Sequence, residues 1–574
     1  MKKLFKYLKD YKIECVLAPL FKMLEASFEL IVPLVVASLI DKGIAENDLT
    51  HVYKCIVLMV LLGFVGLLSS CTAQFFAAKA ATGFSSKLRV DLFSHLMSLS
   101  YKEIDGIGTS TMITRMTSDV NQAQTGVNMF LRLFLRSPFV VFGAMIMAFS
   151  INIKAAMIFV YVIAILFVVV GIIMKSNIPM IKKVQGLLDK VLLLTRENLS
   201  GARVIRAFCK EDDEVADFKH ANKSLFDSQI QSGRVSGLMN PITYVIVNLG
   251  IVCLIYTGGI SVDNGVLTQG QVIALYNYMS QILVELIKLA NLIITLNKAV
   301  ASAGRIADVF DINCTQSVLS TDDDYDNENV VRFENVSLKY HEGSDDAIEH
   351  ISFSVKKGQI IGIIGGTGAG KTSLISLIPR FYDATDGKVY VFGKDVRSYQ
   401  MDELRDRIAV VMQKAVLFSG DIKSNLTLGQ QGATDDDLLN AIDMAVATDV
   451  VESKGGLSGK VEQGGKNFSG GQKQRLTIAR ALAKRADILI LDDSASALDF
   501  ATENQLNKNI RSLDYNPTTF IVTQRASSIL DADLIIVLDD GKIVGMGNSD
   551  ELLSSCDVYR EIYNTQFGEA SHDK

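Results

Sequence analysis

Residues 359–382 read QIIGIIGGTGAGKTSLISLIPRFY. A short apolar run, Ile360 to Ile364, enters Gly365-Gly366-Thr367-Gly368-Ala369-Gly370-Lys371-Thr372-Ser373 and continues into a helical pattern. Glycines at this spacing let successive backbone N–H groups wrap a phosphate, and the N-terminus of the following helix favours negative charge. In that strand–loop–helix setting Lys371 is placed to reach β and γ phosphates, and Thr372 to hold Mg²⁺ through its hydroxyl. The chemistry expected is binding of a nucleoside triphosphate, ATP being the common case, with Mg²⁺.

Two further segments belong with this loop. The apolar run Ile488 to Leu491 ends in Asp492, the carboxylate expected to hold Mg²⁺ opposite the loop. Between the two strands lies Phe468-Ser469-Gly470-Gly471-Gln472, followed by the amphipathic KQRLTIARALAKRA. Serine and two glycines at a helix start make a second anion site. One loop holds one nucleotide, so the second site is expected to serve a nucleotide held by another domain of the same kind.

The elements that position these residues form an α/β P-loop NTPase unit, expected over residues 330–574. What precedes it is different in kind. Of the 574 residues 49% are hydrophobic and only 21% charged, with a mean hydropathy of +0.27, too apolar for a soluble chain of this size. A membrane-crossing helix needs about 20 mostly apolar residues. Charge-free windows run from Lys54 to Lys79, Lys154 to Lys175 and Arg234 to Asp263. Shorter or more polar ones cover Ser137 to Ile153 and Asn264 to Val284, and a first candidate spans roughly 14–40. Residues 1–314 are therefore expected to be a membrane α-helical bundle of six transmembrane helices. Lys and Arg concentrate in the long stretches 80–136 and 175–234, which are helical in pattern, among them Lys87, Arg89, Arg115, Lys182, Lys183, Arg203 and Arg206, and this places these long loops and both termini in the cytoplasm.

Lys22, Glu25 and Glu29 in the first span and Glu285 and Lys288 at the end of the sixth either face the bundle interior or lie near a helix end and snorkel. Residues 315–329, TQSVLSTDDDYDNEN, are polar, acidic and aperiodic, and read as a linker. Seven cysteines stand singly without metal-ligand spacing, as packing residues in a reducing compartment. A net charge of −6 argues against a nucleic-acid partner.

Ordered along one chain, these motifs resemble those of the ATP-binding cassette (ABC) transporter superfamily, in particular type IV exporters with six spans ahead of one cassette. The resemblance implies that Tyr340, in VRFENVSLKY, stacks on adenine. It implies that Gln413, in VVMQ, is the Q-loop residue contacting Mg²⁺ and the membrane domain, and that Asp499, in SALD, is the D-loop residue. It also implies coupling segments around Gly108 to Asp119 and Gly201 to Glu211, a bacterial plasma-membrane location with the ATP-binding domain in the cytoplasm, and assembly with a second half-transporter.

Two positions depart from the family pattern. Asp493 stands where a catalytic Glu follows the strand-terminal aspartate, and Gln524, in IVTQRASS, stands where the switch His is found. Asp is one methylene shorter than Glu, and a general base must lie within hydrogen-bond reach of the attacking water. Gln exchanges no proton near neutral pH. The segment VEQGGKN before Phe468 departs as well. The expectation is a site that binds MgATP well and hydrolyses it slowly, in one subunit of a heterodimeric exporter of amphipathic drugs, lipids or peptides. The alternatives are a slow homodimeric exporter and a regulatory or channel-like cassette protein that gates without pumping.

Overall fold

The structure, a computed structural model, describes residues 2–316, 318–319, 328–341, 343, 345–430 and 432–568. Most of the expected linker and the last six residues lie outside these. The chain forms two units, one of residues 1–97 and 110–312, the other of residues 98–109 and 313–574.

In the first unit the described residues include six helices long and apolar enough to cross a membrane: Leu4–Ile44, Leu49–Met97, Thr109–Ile151, Ile153–Ser200, Glu211–Asp263 and Gln269–Phe310. Each is 41 to 53 residues long. At ~1.5 Å per residue that exceeds a hydrocarbon core of about 30 Å roughly twofold. The stretches expected as long cytoplasmic loops are thus mostly continuations of the spans. The sixth helix starts at Gln269 rather than at Asn264. Residues 264–268 make the turn instead, because Thr268 and Gln271 form a capping box that fixes the helix start.

Small residues set the spacing within this unit, as expected where lipid supplies no hydrophobic drive between helices. A Cβ at Gly126 would fall 2.2 Å from the Ala299 Cβ, and one at Gly250 2.5 Å from Val162 Cγ2. Ala73, Ala77 and Ala81, one turn apart on the second helix, are fully buried. At one end of the first helix the Asp41 carboxylate accepts hydrogen bonds from the Gly270 N–H (2.8 Å) and the Thr268 hydroxyl (2.5 Å), tying it to the start of the sixth.

The intramembrane charges are paired inside the bundle. Lys22 donates to Glu25 (2.5 Å) and Ser70 (3.0 Å). Glu285 accepts from Arg136 (2.5 Å), Ser137 (2.9 Å) and Lys288 (2.8 Å), and Arg136 also reaches Glu29 (2.6 Å). Lys22 and Glu285 are buried, which decides for the interior at these two positions, and Arg136 is buried with them. Arg136 closes the stretch 80–136 that the charge pattern places in the cytoplasm. Its buried carboxylate partner, 149 positions away, explains its inward position.

The second unit is built on two larger sheets. An antiparallel sheet has the order β2-β1-β4-β5, from β1 (Asn329–Leu338), β2 (Ile348–Lys356), β4 (Asp386–Val391) and β5 (Lys394–Asp395). The other, in the order β12-β11-β3-β10-β9-β6, contains β3 (Ile360–Gly365), β6 (Ile408–Val411), β9 (Ile488–Asp492), β10 (Thr518–Thr523), β11 (Leu534–Asp539) and β12 (Lys542–Gly547). All its pairings are parallel except β11 with β12. A short ribbon pairs β7 (Gly420–Asp421) with β8 (Lys460–Val461). Both faces of the parallel strands are covered, which is why IIGII and ILIL read as unbroken apolar runs. Ile361 and Ile363 enter the core shared with the antiparallel sheet, and Ile360 and Ile364 the core on the opposite face.

The segment 98–109 packs within this second unit. Its helix Tyr101–Ile107 starts with a Ser100–Glu103 capping box. Tyr101 lies against Phe381 with ring centroids 4.5 Å apart, and Asp105 accepts a hydrogen bond from the Tyr382 hydroxyl. This helix precedes the segment Gly108 to Asp119 named from the sequence, of which residues 109–119 begin the third long helix. The second segment, Gly201 to Glu211, contains the short helix Ala202–Ala207 and presents Val204 and Phe208 to solvent.

Candidate active site

Parallel strands carry their C-terminal ends to one edge, and the candidate residues follow from those ends. β3 leads into the glycine loop and Lys371, β9 ends at Asp492 and Asp493, β10 leads to Gln524, and β6 leads to Gln413. This is the edge at which open α/β sheets bind ligands.

The loop has the shape a phosphate needs. Gly370 caps the helix Lys371–Ser376 with φ +92°, and a Cβ there would fall 2.5 Å from the Ala347 carbonyl, so only glycine fits. Nothing lies within 4 Å of a Cβ built at Gly366 or Gly368, which leaves the cradle open on its outer side, and Gly366, Thr367 and Gly368 are exposed. Ala369 is buried beneath. The Lys371 ammonium lies at the mouth of the loop against the carbonyls of Gly365 (2.8 Å) and Gly366 (2.6 Å). Burial pulls its pKa below the usual lysine value, against the opposing pull of Asp493 and Asp492.

Across from it the Thr372 hydroxyl sits 3.1 Å from both oxygens of Asp492. Burial pushes the Asp492 carboxyl above the ordinary aspartate value; the Thr372 hydrogen bond opposes this, and neighbouring Asp493 adds to it. A hydroxyl beside two adjacent carboxylates is a hard-oxygen donor set that suits a divalent cation, and Mg²⁺ with phosphate oxygens fits it. Asp493 is half-buried, with φ +45°, and its carboxylate accepts from Gln413 Nε2 at 3.1 Å.

Tyr340 is half-buried. Its hydroxyl is 2.9 Å from that of Ser373, and its ring meets Tyr382 edge-on at 5.0 Å. Ser469 caps the helix Gly470–Ala483 through a capping box with Gln472, and Ser469 and Gly470 are exposed. A Cβ on Gly471 would sit 2.8 Å from the Ala497 carbonyl, so this helix start lies close to the segment that ends in Asp499. Asp499 caps the helix Phe500–Arg511 by accepting from the Thr502 N–H (3.1 Å) and hydroxyl (2.7 Å), bonds that hold its carboxyl below the usual range. Lys371, Thr372, Asp492, Asp493 and Gln413 are thus gathered at one sheet edge, and Ser469, Gly470, Gly471 and Gln472 form a separate surface beside Asp499.

Gln566 and Glu503, which no sequence motif marks, flank the segment after β10. Gln524 is exposed at the end of β10, and its carbonyl accepts from Gln566 Nε2 (2.7 Å). Buried Glu503 accepts from Arg525 (2.7 Å) and from Ser528. No local pattern marks Gln566 or Glu503, because their partners come from distant parts of the chain.

Residues 15–286 match the family described as ABC transporter transmembrane region, and residues 348–496 the family described as ABC transporter. The chain is 34% identical over 569 residues, 99% of each chain, to an uncharacterized ABC transporter ATP-binding protein of Bacillus subtilis. It is 29% identical, again over 99% of each chain, to an ATP-dependent lipid A-core flippase of Desulfotalea psychrophila. The same identity and coverage relate it to a candidate multidrug export ATP-binding/permease protein of Bacillus subtilis. A solved bacterial Atm1-family ABC exporter with ATP bound shares its fold, with a TM-score of 0.81 at 23% identity over 97% of this chain and 98% of the other.

Proposed function

Because the chain belongs to the ABC transporter family, as a multi-pass exporter half with a cytoplasmic ATPase unit, we propose that it exports amphipathic molecules as the slowly hydrolysing subunit of a heterodimer. The observation that carries this reading is the make-up of the sheet edge. The binding parts, Lys371, Thr372 and Asp492, meet there, while the positions that would activate water carry Asp493 and Gln524.

In this reading 1–314 is the transmembrane domain, 315–329 the linker and 330–574 the cassette. Gly365 to Ser373 wrap the phosphates of ATP, Tyr340 stacks on its adenine, and Lys371 pairs with its β and γ oxygens. Thr372 and Asp492 would hold Mg²⁺ with help from Gln413, and the ion would supply positive charge against the phosphates. Asp493 has to accept the proton of water, and Gln524 to orient the group attacked. Ser469, Gly470, Gly471, Gln472 and Asp499 complete the nucleotide site of the second subunit.

The half-transporter partner is supported by the exposed Ser469, Gly470 and Asp499 and by Val204 and Phe208, apolar side chains 59% and 73% exposed at a cytoplasmic tip, where a partner's cassette would cover them. Closure around two nucleotides then favours one arrangement of the spans over the other, as linkage requires. The relatives named for lipid A-core flipping and multidrug export support lipids and drugs as the substrate class. Transport of a fluorescent phospholipid and of cationic dyes into inside-out proteoliposomes, with and without ATP, tests the function. ATP-dependent accumulation is expected. ATP-gated leakage of small ions without accumulation would overturn it in favour of a gate.

A further inference from the structure

We propose that Gln566, on the last helix Asp557–Phe567, positions the switch residue Gln524 and thereby sets the turnover of this chain's nucleotide site; this rests on the reading of Gln524 given above. The Gln566 amide closes on both sides of residue 525. Its Nε2 donates to the Gln524 carbonyl at 2.7 Å, and its Oε1 accepts from the Ala526 N–H at 2.7 Å. A primary amide satisfies an acceptor and a donor together in one orientation only, so the contact fixes the backbone from which the Gln524 side chain leaves.

The loop is also held from its other side. Arg525 donates to Glu503 at 2.7 Å, and Ser528 donates to the same carboxylate. Glu503 is 2% exposed and lies on the helix capped by Asp499. The switch loop is therefore fixed between the D-loop helix and the last helix. The last helix is itself anchored: Tyr559 is fully buried with its hydroxyl 2.9 Å from Ser549, and Tyr563 and Phe567 pack ring to ring at 4.6 Å against the core. A displacement of this helix is transmitted to Gln524 through two hydrogen bonds. No nucleotide contact is assigned to Gln566, so it is a positioning residue.

The test uses the full chain in its native membrane assembly, with Gln566→Leu, which removes both hydrogen bonds, and Gln566→Glu, which keeps the acceptor for Ala526 and loses the donor to Gln524. Each is made with Gln524 and with Gln524→His. Single-turnover hydrolysis at this chain's site is expected to fall roughly tenfold in Gln566→Leu and less in Gln566→Glu. The Kd for a fluorescent ATP analogue and the Tm should remain unchanged. The loss should be larger with Gln524→His, because an imidazole depends more on its aim. Unchanged turnover in both backgrounds, independent multiplication of the two effects, or a parallel loss of ATP affinity would each overturn the positioning role. If Gln524→His changes turnover and Gln566→Leu does not, the positioning role alone falls; if Gln524→His is silent, the reading of Gln524 falls with it.

Discussion

The side-chain amide of Gln413 donates to the carboxylate of Asp493 at 3.1 Å, joining the segment after β6 to the residue after β9. The Asp493 N–H bonds to the Val522 carbonyl at 2.9 Å, and its φ of +45° is one that Asp tolerates better than most side chains. The Asp493 backbone and carboxylate are therefore both tied down at the sheet edge. Restoring length and a titrating switch with Asp493→Glu and Gln524→His should raise single-turnover hydrolysis at this site by about tenfold or more, since general-base catalysis is worth ~10²–10⁴ when fully effective. The two changes act on one reacting group, so their effects should not simply multiply. Rapid-quench measurement with labelled ATP decides this, and unchanged turnover of the double variant would place the limit elsewhere, such as in the partner's signature.

Lys371→Ala removes a positive charge aimed at the mouth of the glycine loop. A charge-assisted contact is worth about 1.5–3 kcal/mol, so affinity for ATP at this site should fall roughly 10- to 100-fold. The spans should be unaffected. Photo-crosslinking with an azido-ATP followed by mapping of the labelled peptide reads the site directly; undiminished labelling would remove Lys371 from the binding role.

The fold class was legible because charge-free windows of membrane length have few other uses, and because a loop such as GGTGAGKT between an apolar strand and a helix has few other shapes. The exact helix ends were not legible. The helical pattern of 80–136 and 175–234 was legible, but not that the spans run unbroken into them as far as Met97 and Ser200 and resume at Thr109 and Glu211 around the short helices Tyr101–Ile107 and Ala202–Ala207. Asp492 could be named because it ends an apolar strand. Its position against Thr372, 120 residues away, follows from sheet order, which local pattern does not encode. Arg136 and Gln566 were invisible for the same reason: each takes its meaning from a partner brought near only by the tertiary fold.

Tyr382 joins the helix Tyr101–Ile107 to the cassette. Its phenol is pushed above the usual tyrosine value by burial and by the hydrogen bond it gives Asp105. Tyr382→Phe keeps the ring beside Tyr101 and Tyr340 and removes only this bond. A hydrogen bond of about 1 kcal/mol changes local opening roughly fivefold, so amide exchange across 101–107 should speed up by that factor while ATP affinity holds. Exchange equal to wild type would show that the aromatic contacts alone hold the helix.

Asp41 and Gly270 fasten the first helix to the sixth. Asp41→Ala removes the acceptor for Gly270 N–H and Thr268 and should cost about 1 kcal/mol, as loss of a helix cap does. Gly270→Val should cost more, because even a Cβ would sit 2.3 Å from the Ala37 carbonyl. Both should lower Tm in detergent in that order. A Gly270→Val protein as stable as wild type would mean that the two helices separate there without penalty.

The chain should work with a second, non-identical half-transporter. A homodimer would place Asp493 and Gln524 in both nucleotide sites, and both would then be slow to reset. In a heterodimer the defect is confined to the site built from this chain's glycine loop and the partner's signature. Ser469, Gly470, Gly471 and Gln472, held by the Ser469–Gln472 capping box, then complete the other site, where a partner with Glu and His at the positions of Asp493 and Gln524 would hydrolyse quickly. The asymmetry gives a sharp expectation. Ser469→Arg in this chain should abolish most of the assembly's ATPase activity, because it blocks the fast site, whereas Lys371→Ala should leave much of that activity and weaken only nucleotide retention. The comparison is made on the complex isolated through this chain from its native membrane, with the partner identified by mass spectrometry. Recovery of this chain alone, with brisk substrate-stimulated turnover and equal losses from the two variants, would establish the homodimer in its place.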